Sequence, residues 1–522
     1  MKPTERRGKA AGENLRATVF GIFLNFLYSF VSRRVLVYSM GKEYVGLGSL
    51  VGNMAVLLTL LDFGASSAVI FRLYKPLADG DEKSVSEILS YYRRLCRLSA
   101  LLTAVAGLLY LPYVPRAAVG FSDKELLYAV YLLRLLPLSV GYFFSPFRVL
   151  LFADQKNYVA QWISYGFGGV CVLAECLSLL CFHRYILSLC FCVFFSLLED
   201  LALCRTVKTM YPDVDFSGGQ KASSALRRSL GREILSLQPT CIAATLICTV
   251  DNFLVVYLFG VAGNGLYSNY NMLLGYAMMF SVTLIGALSA SVGNLGASEK
   301  PEKARRIFSI TCLAAFFPVN IAATILFVLT DDIMTLWLGR ENLLPPWVSI
   351  ALAMHFFLRA LRQNTLMFRD AYGLYRRERI KPFLELFLSI AFSYVLGKRM
   401  GLGGVYVGQA LAAFLACFFY EPYILFRYGF HMSVLPYFRT LLRFFAVFCA
   451  SGFCARVLCR AVSSFSLRFA VCAVVPALFF FGGFYGTKSF SLLIGRLFPP
   501  RKFHGEKRRV RQKAVVSQKK YV

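Results

Sequence analysis

Long apolar stretches separated by short polar connections recur along the whole chain. A stretch of about 20 apolar residues is long enough to cross a hydrocarbon core of roughly 30 Å as an α-helix. The pattern therefore predicts an all-α integral membrane protein. The fourteen predicted membrane-spanning helices lie at residues 15–38, 47–73, 96–114, 126–152, 157–182, 185–206, 236–259, 268–296, 306–329, 347–370, 382–397, 402–426, 438–461 and 466–494.

Composition supports the membrane assignment. Hydrophobic residues make up 57% of the 522 residues, and the mean hydropathy is +0.59. A soluble domain keeps about 45 to 50% apolar residues, so the excess has to face lipid. The formal charge of +29 would also suit a nucleic-acid-binding protein, but only if the basic residues formed one surface.

Basic residues instead concentrate in every second connection between the predicted helices. These connections hold Lys75, Lys83, Arg93 and Arg94; Lys208, Lys221, Arg227, Arg228 and Arg232; Lys300, Lys303, Arg305 and Arg306; and Arg376, Arg377, Arg379 and Lys381. The loops between them carry much less, such as Arg184 alone or Arg340 alone. Cytoplasmic loops of membrane proteins carry the excess of Lys and Arg. An even number of helices then predicts that both termini are cytoplasmic, with no nucleic-acid partner.

The predicted helices group into two sets of six and a final pair. Residues 1–206 form an N-terminal six-helix lobe, 207–235 a cytoplasmic linker that contains Ser217, Gly218 and Gly219, and 236–426 a C-terminal six-helix lobe. Two additional helices follow at 427–494, and a basic cytoplasmic tail occupies 495–522.

An internal repeat relates the two lobes at an offset of 219 residues. RVLVYSMGKEYVGLGS, from Arg34, aligns with FLVVYLFGVAGNGLYS, from Phe253. The aligned identical pairs include Tyr38 with Tyr257, Gly41 with Gly260, Gly46 with Gly265, Leu47 with Leu266 and Ser49 with Ser268. The paired glycines fall where one helix should end and the next begin. Two lobes of six helices cross the membrane in the same sense, which predicts a central cavity between rocking halves.

Charged side chains inside the predicted helices are the candidates for a binding site. Burying a charge at the centre of a membrane costs at least about 2.5 to 3.5 kcal/mol, so such residues face a cavity or a partner. Arg33, Arg134, Arg359 and Arg362 are predicted to line the cavity, since arginine binds phosphate and carboxylate oxygens through paired hydrogen bonds. The alternative for each arginine is pairing with a carboxylate or snorkelling to the interface.

Acidic and amide residues add to this predicted cavity. Asp62 and Asp251 can take up a coupling ion or neutralise an arginine, and neutralisation is favoured for Asp62. Asn252 aligns with Arg33 in the repeat, so polar residues recur at equivalent depth. Asn269 and Tyr270, after the second glycine pair, can bind sugar hydroxyls, although helix capping and interface anchoring explain them equally well.

Motifs for catalysis or for cofactor binding are missing from the sequence. No GxxxxGK[ST] phosphate loop occurs, the four histidines lack metal-ligand spacing, and the 15 cysteines lie mostly inside apolar stretches. We therefore expect a protein that is not an enzyme and that has no cofactor and no metal site.

Three stretches carry a family resemblance. MGKEYVGLGSLVGNM, LLDFGASSAVIFRLYKPLADGD and TVDNFLVVYLFGVAGNGLYSNYNMLL resemble bacterial polysaccharide flippases of the multidrug, oligosaccharidyl-lipid and polysaccharide exporter superfamily. The resemblance implies a V-shaped, MATE-like bundle in the bacterial cytoplasmic membrane. It also implies that the bundle flips an undecaprenyl-diphosphate-linked oligosaccharide outward for surface polysaccharide biosynthesis. A polysaccharide polymerase or glycosyltransferases would be its protein partners.

The two helices beyond twelve depart from many oligosaccharide flippases. Their number resembles that of lipid II flippases, which handle the cell-wall precursor. A membrane scaffold or regulator of the same fold is a further alternative, which the extra helices and basic tail would suit. A cation-coupled drug exporter is the third, but a cavity lined with arginine argues against organic cations as substrates.

Overall fold

The computed structural model describes residues 3–62, 64–216, 223–293, 301–378 and 380–497. Within these ranges the chain is helical almost throughout and contains no strand. The predicted linker residues 217–219 and the basic tail beyond 497 lie outside the described residues.

The helices of the first half end before the 217–222 gap. They are α1 Pro3–Met40, α2 Lys42–Leu58, α3 Ala65–Asp79, α4 Glu82–Tyr110, α5 Val114–Ala117, α6 Lys124–Gly141, α7 Ser145–Ala153, α8 Asn157–Phe182 and α9 Tyr185–Met210. Those of the second half are α10 Ser224–Gly293, α11 Pro301–Leu338, α12 Val348–Ala371, α13 Lys381–Met400, α14 Leu402–Ala413, α15 Tyr420–Ile424, α16 Leu435–Arg460, α17 Phe465–Phe484 and α18 Lys488–Leu497. π-Helical turns at Phe414–Phe418 and Leu425–Phe430 continue α14 and α15.

Each of the fourteen predicted segments is largely helical, but three are interrupted. The predicted helix at 47–73 breaks between α2 and α3, where Gly64 has a positive φ of 70°. The helix at 126–152 is bent by 53° between α6 and α7. The helix at 466–494 ends at Phe484, and α18 follows it. A hydropathy pattern registers apolar length, so it does not detect a backbone break inside an apolar segment.

Among the described residues, ten helices are long and apolar enough to cross a membrane, and the bent pair α6 and α7 makes eleven. One of the ten, Cys241–Gly286, contains both the seventh and the eighth predicted helices, because helical geometry continues on either side of Gly260. The tenth and eleventh predicted helices, α12 and α13, are less apolar. They carry charged residues such as Arg362 and Glu385.

Three large apolar cores hold the helices together. One core joins α3, α4, α7 and α9 to the beginning of α10, and includes Tyr92 and Leu203. A second joins α1, α2, α6 and α9 to the middle of α10, and includes Val256 and Val261. The largest core lies in the second half of the chain around Phe308, Phe316 and Trp337. The middle of α10 therefore packs against the first half of the chain.

The last two membrane helices, α16 and α17, pack on α11. The Asn320 Nδ2 amide donates to the Pro476 carbonyl at 3.4 Å, and the Ser451 hydroxyl donates to Asn320 Oδ1 at 3.4 Å. Arg468 pairs with Asp332 at 2.9 Å. These contacts attach the final helix pair to the outside of the second half.

Candidate functional site

Two glycine corners stand at equivalent repeat positions. Gly41, between α1 and α2, has φ 90° and ψ 175°, and Gly260, inside α10, has φ 70° and ψ −179°. A side chain would strain this backbone, because residues other than glycine rarely adopt a positive φ. The glycines paired by the sequence repeat therefore make the same sharp turn in both halves.

The two corners also contact each other, through a second glycine pair. A Cβ atom on Gly46 would lie 1.9 Å from the Val261 carbonyl oxygen, and one on Gly265 would lie 2.0 Å from the Lys42 carbonyl oxygen. Both contacts obey the offset of 219 residues, since 46 and 42 become 265 and 261. The backbones approach so closely that only glycine fits, and the contact is symmetric about an axis between the halves.

Polar side chains beside the corners repeat the same symmetry. The Arg33 Nη1 group donates to the Ser268 hydroxyl at 2.8 Å, and the Ser49 hydroxyl donates to Asn252 Oδ1 at 3.2 Å. Adding 219 to 33 and 49 gives 252 and 268, so the two hydrogen bonds are equivalent. One of them carries a guanidinium and the other a neutral amide. The symmetry between the halves is therefore incomplete, because only one of these two hydrogen bonds involves a positively charged side chain.

Arg33 belongs to a wider charged cluster in the first half. Its neighbours include Arg134 on α6, Glu175 on α8 and Tyr185 at the start of α9. The carboxylate of Glu175 accepts a hydrogen bond from the Ser32 hydroxyl at 2.9 Å and interacts with the charges of both arginines. Arg134 is exposed, and Arg33 is half-buried. Among the described residues neither guanidinium forms an ion pair with Glu175. The cluster formed by Arg33, Arg134 and Glu175 therefore brings two cations near one carboxylate and keeps a net positive charge.

The second half has a corresponding polar group with a different charge balance. Asp251 on α10 interacts with Arg359 on α12, and the Ser389 hydroxyl donates to Asp251 Oδ1 at 3.4 Å. Nearby, Gln409 Nε2 donates to the Tyr267 hydroxyl at 2.8 Å. Glu385 on α13 also interacts with both Asp251 and Arg359. Asp251 and Arg359, both predicted site residues, therefore lie together and balance each other.

Arg362, one turn beyond Arg359, lies in a separate buried ion network. Its guanidinium pairs with Glu385 at 2.9 Å and with Glu421 at 2.7 Å, and Lys381 pairs with Glu421 as well. Side-chain exposure is 14% for Arg362, 8% for Glu385 and 1% for Glu421. Two cations face two anions, so this network, made of Arg362, Lys381, Glu385 and Glu421, ties α12, α13 and α15 together.

Asp62 lies away from these groups. It interacts with Ser66 at the start of α3 and lines a cavity of about 470 Å³ between the first half and the residues around Cys241 on α10. Arg148 lines the same cavity, but it pairs with Glu199 at 2.6 Å and with Asp200 at 3.1 Å. The expected neutralisation of an arginine by Asp62 does not correspond to an ion pair in the described part of the chain.

The three predicted sugar-contacting residues are all buried. Asn269 accepts a hydrogen bond from Arg33 Nη1 at 3.3 Å, and its Nδ2 group has no partner among the described residues. Asn252 accepts from Ser49, while the Tyr270 hydroxyl accepts from the Leu344 backbone amide at 2.8 Å. Tyr270 is thus held in the core of the second half, whereas the two asparagines lie at the contact between the halves.

Sequence reasoning did not include Ser268, Glu175 or Tyr185 among the site residues. Ser268 could have been found, because it aligns with Ser49 in the repeat. Glu175 and Tyr185 give no such signal, since nothing in their spacing relates them to Arg33. Among the described residues, no group of three or more His, Cys, Asp or Glu side chains could hold a metal ion.

Comparison with known proteins identifies the fold. No family model matches the chain, and no curated protein sequence matches it. Solved structures do match. A lipid II flippase, MurJ, in an inward closed conformation has a TM-score of 0.64 and 14% identity, covering 92% of this chain and 98% of that one.

Two MATE structures match over a smaller share of the chain. The multidrug transporter DinF-BH in complex with R6G has a TM-score of 0.60 and 15% identity, covering 81% of this chain and 97% of that one. An outward-facing MATE family transporter of the MOP superfamily has a TM-score of 0.57 and 13% identity, with 81% and 96% covered. This chain therefore has the all-helical membrane fold that MATE multidrug transporters share with the lipid II flippase.

Proposed function

We propose that this protein flips an undecaprenyl-diphosphate-linked oligosaccharide across the bacterial cytoplasmic membrane by alternating access, for surface polysaccharide biosynthesis. In this proposal the two halves, 1–206 and 236–426, are the moving lobes, and the segment 207–235 links them. The final helix pair at 427–494 is attached to the second lobe and moves with it. Both termini, with the tail at 495–522, lie in the cytoplasm.

The observation that carries the proposal is the net positive cluster at the contact between the halves. Arg33 and Arg134 lie near one carboxylate, that of Glu175, and form no ion pair with it in the described part of the chain; Arg33 donates to Ser268 in the other half. A diphosphate has several anionic oxygens that can accept from arginine forks, and such charge-assisted hydrogen bonds are the strong ones. A substrate headgroup bound here would satisfy the arginines and compete with the contacts that hold the halves together.

Alternating access suits the way the halves meet. The contact combines glycine backbones, the hydrogen bonds from Arg33 to Ser268 and from Ser49 to Asn252, and the apolar core that includes Val256 and Val261. To open it, a bound ligand has to offset the loss of these contacts, of which each hydrogen bond contributes about 1 to 3 kcal/mol net. Arg359 and Asp251 form the corresponding group of the second lobe, where Asp251 is the candidate for ion coupling.

Lipid II is the second candidate substrate, and one observation favours it. The lipid II flippase structure covers 92% of this chain, whereas the two MATE structures described above cover 81%. The larger share fits a chain with a helix pair beyond twelve. Both candidate substrates present a diphosphate to the cavity, so the arginine argument applies equally to them. An organic cation would be repelled by the same cluster.

The test is to replace Arg33 or Arg359 with alanine and measure polymer at the cell surface together with protein abundance in the membrane. We expect polymer display to be abolished and abundance unchanged, because neither side chain forms an ion pair among the described residues. Arg34→Ala is the matched control. Arg34 is exposed, and among the described residues it donates to the Leu336 carbonyl alone, at 3.0 Å, so this variant should display polymer normally.

Wild-type polymer in both the Arg33 and the Arg359 variants would refute the substrate site. Deleting the gene and identifying the lipid-linked saccharide that accumulates inside the cell separates the two substrates. A scaffold protein would cause no accumulation of either one.

A further inference from the structure

A second cationic pocket shares no lining residue with the contact between the halves. It is formed by the first part of α11, the first part of α16 and the junction between α17 and α18. Its volume is about 180 Å³. The lining residues are Arg305, Phe308, Ser309, Cys312, Leu313, Phe426, Pro436, Tyr437, Thr440, Arg443, Phe444, Phe484, Thr487 and Ser489.

Two arginines give the pocket its charge, and no acidic residue is among those that line it. Arg305 makes a single hydrogen bond within the described part of the chain, to the Met432 sulfur at 3.6 Å. A thioether is a weak acceptor, so this contact leaves most of the guanidinium unsatisfied. Arg443 is exposed, and it has no ion pair or hydrogen bond among the described residues. Arg362, by contrast, is paired with two carboxylates.

The position of the unpaired Arg443 along α16 indicates what it can bind. It lies eight residues into α16, which begins at Leu435, so it stands roughly 12 Å along the helix from that end. A guanidinium at the boundary of the hydrocarbon region is costly unless it reaches water or an anion. The oxygen acceptor that this arginine lacks within the protein can be supplied by a phosphate group.

The rest of the pocket sets the kind of ligand. The hydroxyl groups of Ser309, Thr440 and Ser489 line the pocket together with the arginines, and so do Phe308, Phe444 and other apolar side chains. A pocket lined by both cationic and apolar side chains matches a phosphate group attached to a hydrocarbon chain. Drug-sized ligand pockets measure roughly 300 to 1,000 Å³, so 180 Å³ suits a phosphate group rather than a nucleotide or an oligosaccharide.

We propose that Arg305 and Arg443 form a binding site for a phosphate group, that of an anionic membrane lipid, at the junction of α11 with the final helix pair. The site is separate from the proposed translocation path, and its occupancy does not depend on what the protein transports. By bridging α11 and α16, the bound phosphate would fasten the final helix pair to the second half of the molecule.

The experiment uses the full-length protein in nanodiscs of phosphatidylcholine, with phosphatidylglycerol added in steps and bound lipid counted by native mass spectrometry. We expect tight retention of phosphatidylglycerol by the wild type. Arg443→Gln should weaken retention about tenfold, and the double variant Arg305→Gln, Arg443→Gln should weaken it further, since each arginine supplies charge-assisted hydrogen bonds. Arg443 has no partner in the described protein, so its single replacement should fold normally.

Arg439→Gln is the matched control, because Arg439 is exposed on the same helix one turn earlier and does not line the pocket. Retention should be unchanged in this variant. Inorganic phosphate is the second probe. If it protects the wild type from thermal unfolding in phosphatidylcholine alone, and the double variant loses that protection, the site holds and free phosphate is its ligand. Equal retention of phosphatidylglycerol by the wild type and the double variant, or an equal loss in Arg439→Gln, would overturn the proposal.

Discussion

Two polar regions of this molecule that contain arginines differ in charge balance. In the ion network of the second half, Arg362 and Lys381 face Glu385 and Glu421, so positive and negative charges cancel. In the cluster between the halves, Arg33 and Arg134 lie near Glu175 without an ion pair to it among the described residues. The first region joins neighbouring helices of one half, whereas the second lies where the halves touch.

The difference teaches how to interpret an arginine inside a membrane protein. A guanidinium whose N–H groups all donate to carboxylates holds helices together and has few donors left for a ligand. A guanidinium whose charge is not neutralised by nearby carboxylates can still bind an anion. We therefore base the substrate proposal on Arg33 and Arg134, keep Arg359 as the partner of the coupling candidate Asp251, and interpret Arg362 as a structural residue, although all four were predicted as cavity cations.

The largest expected effect comes from Arg362→Ala. This change leaves Lys381 to face two buried glutamates, Glu385 and Glu421, and removing one side of a buried ion pair costs about 3 to 5 kcal/mol. We expect a marked fall in the thermal midpoint of the purified protein and in its membrane abundance. Arg33→Ala, measured in the same way, should leave abundance unchanged and lower the thermal midpoint less, because it removes the hydrogen bonds to Ser268 and Asn269 but no ion pair among the described residues.

A double replacement separates charge from packing in the network. Arg362→Met with Glu385→Met removes a positive and a negative side chain together and keeps the Lys381 to Glu421 pair. Since well-packed apolar residues replace buried ion pairs at little cost, this variant should recover much of the lost stability. If Arg362→Ala is as stable as the wild type, the interpretation of the network as structural is wrong.

A smaller effect is expected from Glu175→Gln, which removes the carboxylate that lies near Arg33 and Arg134. The cluster then carries one more positive charge, so a diphosphate lipid should bind about fivefold more tightly to the purified protein. Tighter binding in the starting state should slow turnover, and surface polymer should decrease. Ser32→Ala is the control, because it removes the hydrogen bond to Glu175 and keeps the charge. Weaker binding by Glu175→Gln would contradict the charge argument.

The smallest expected effect is that of Ser49→Ala, at the neutral member of the two equivalent hydrogen bonds. Losing the bond to Asn252 should cost about 1 kcal/mol of stability and leave polymer display near the wild-type level. Ser268→Ala removes the equivalent bond but releases the Arg33 guanidinium, so it should alter substrate affinity in addition to stability. Identical behaviour of the two serine variants would show that the positive charge of Arg33 has no special role.

Several features of the site were accessible from sequence because they are repeated or local. The offset of 219 residues paired Gly41 with Gly260 and Gly46 with Gly265, and these glycines form the corners and the closest contact between the halves. Arg33 and Asn252 were paired by the same offset before their hydrogen bonds were known. The breaks at Gly64 and between α6 and α7 were not predicted, because an apolar stretch looks the same whether its helix is straight or bent.

By itself, the sequence determined that apolar segments of membrane-spanning length follow one another and that two halves share a pattern, since both are properties of residue order. Which arginines are neutralised was decided only by tertiary structure. Arg362 pairs with glutamates that are 23 and 59 positions away in the sequence. Arg33 donates to Ser268, which is 235 positions away. Charge balance depends on distance in space, and helix packing sets that distance between residues that are remote along the chain.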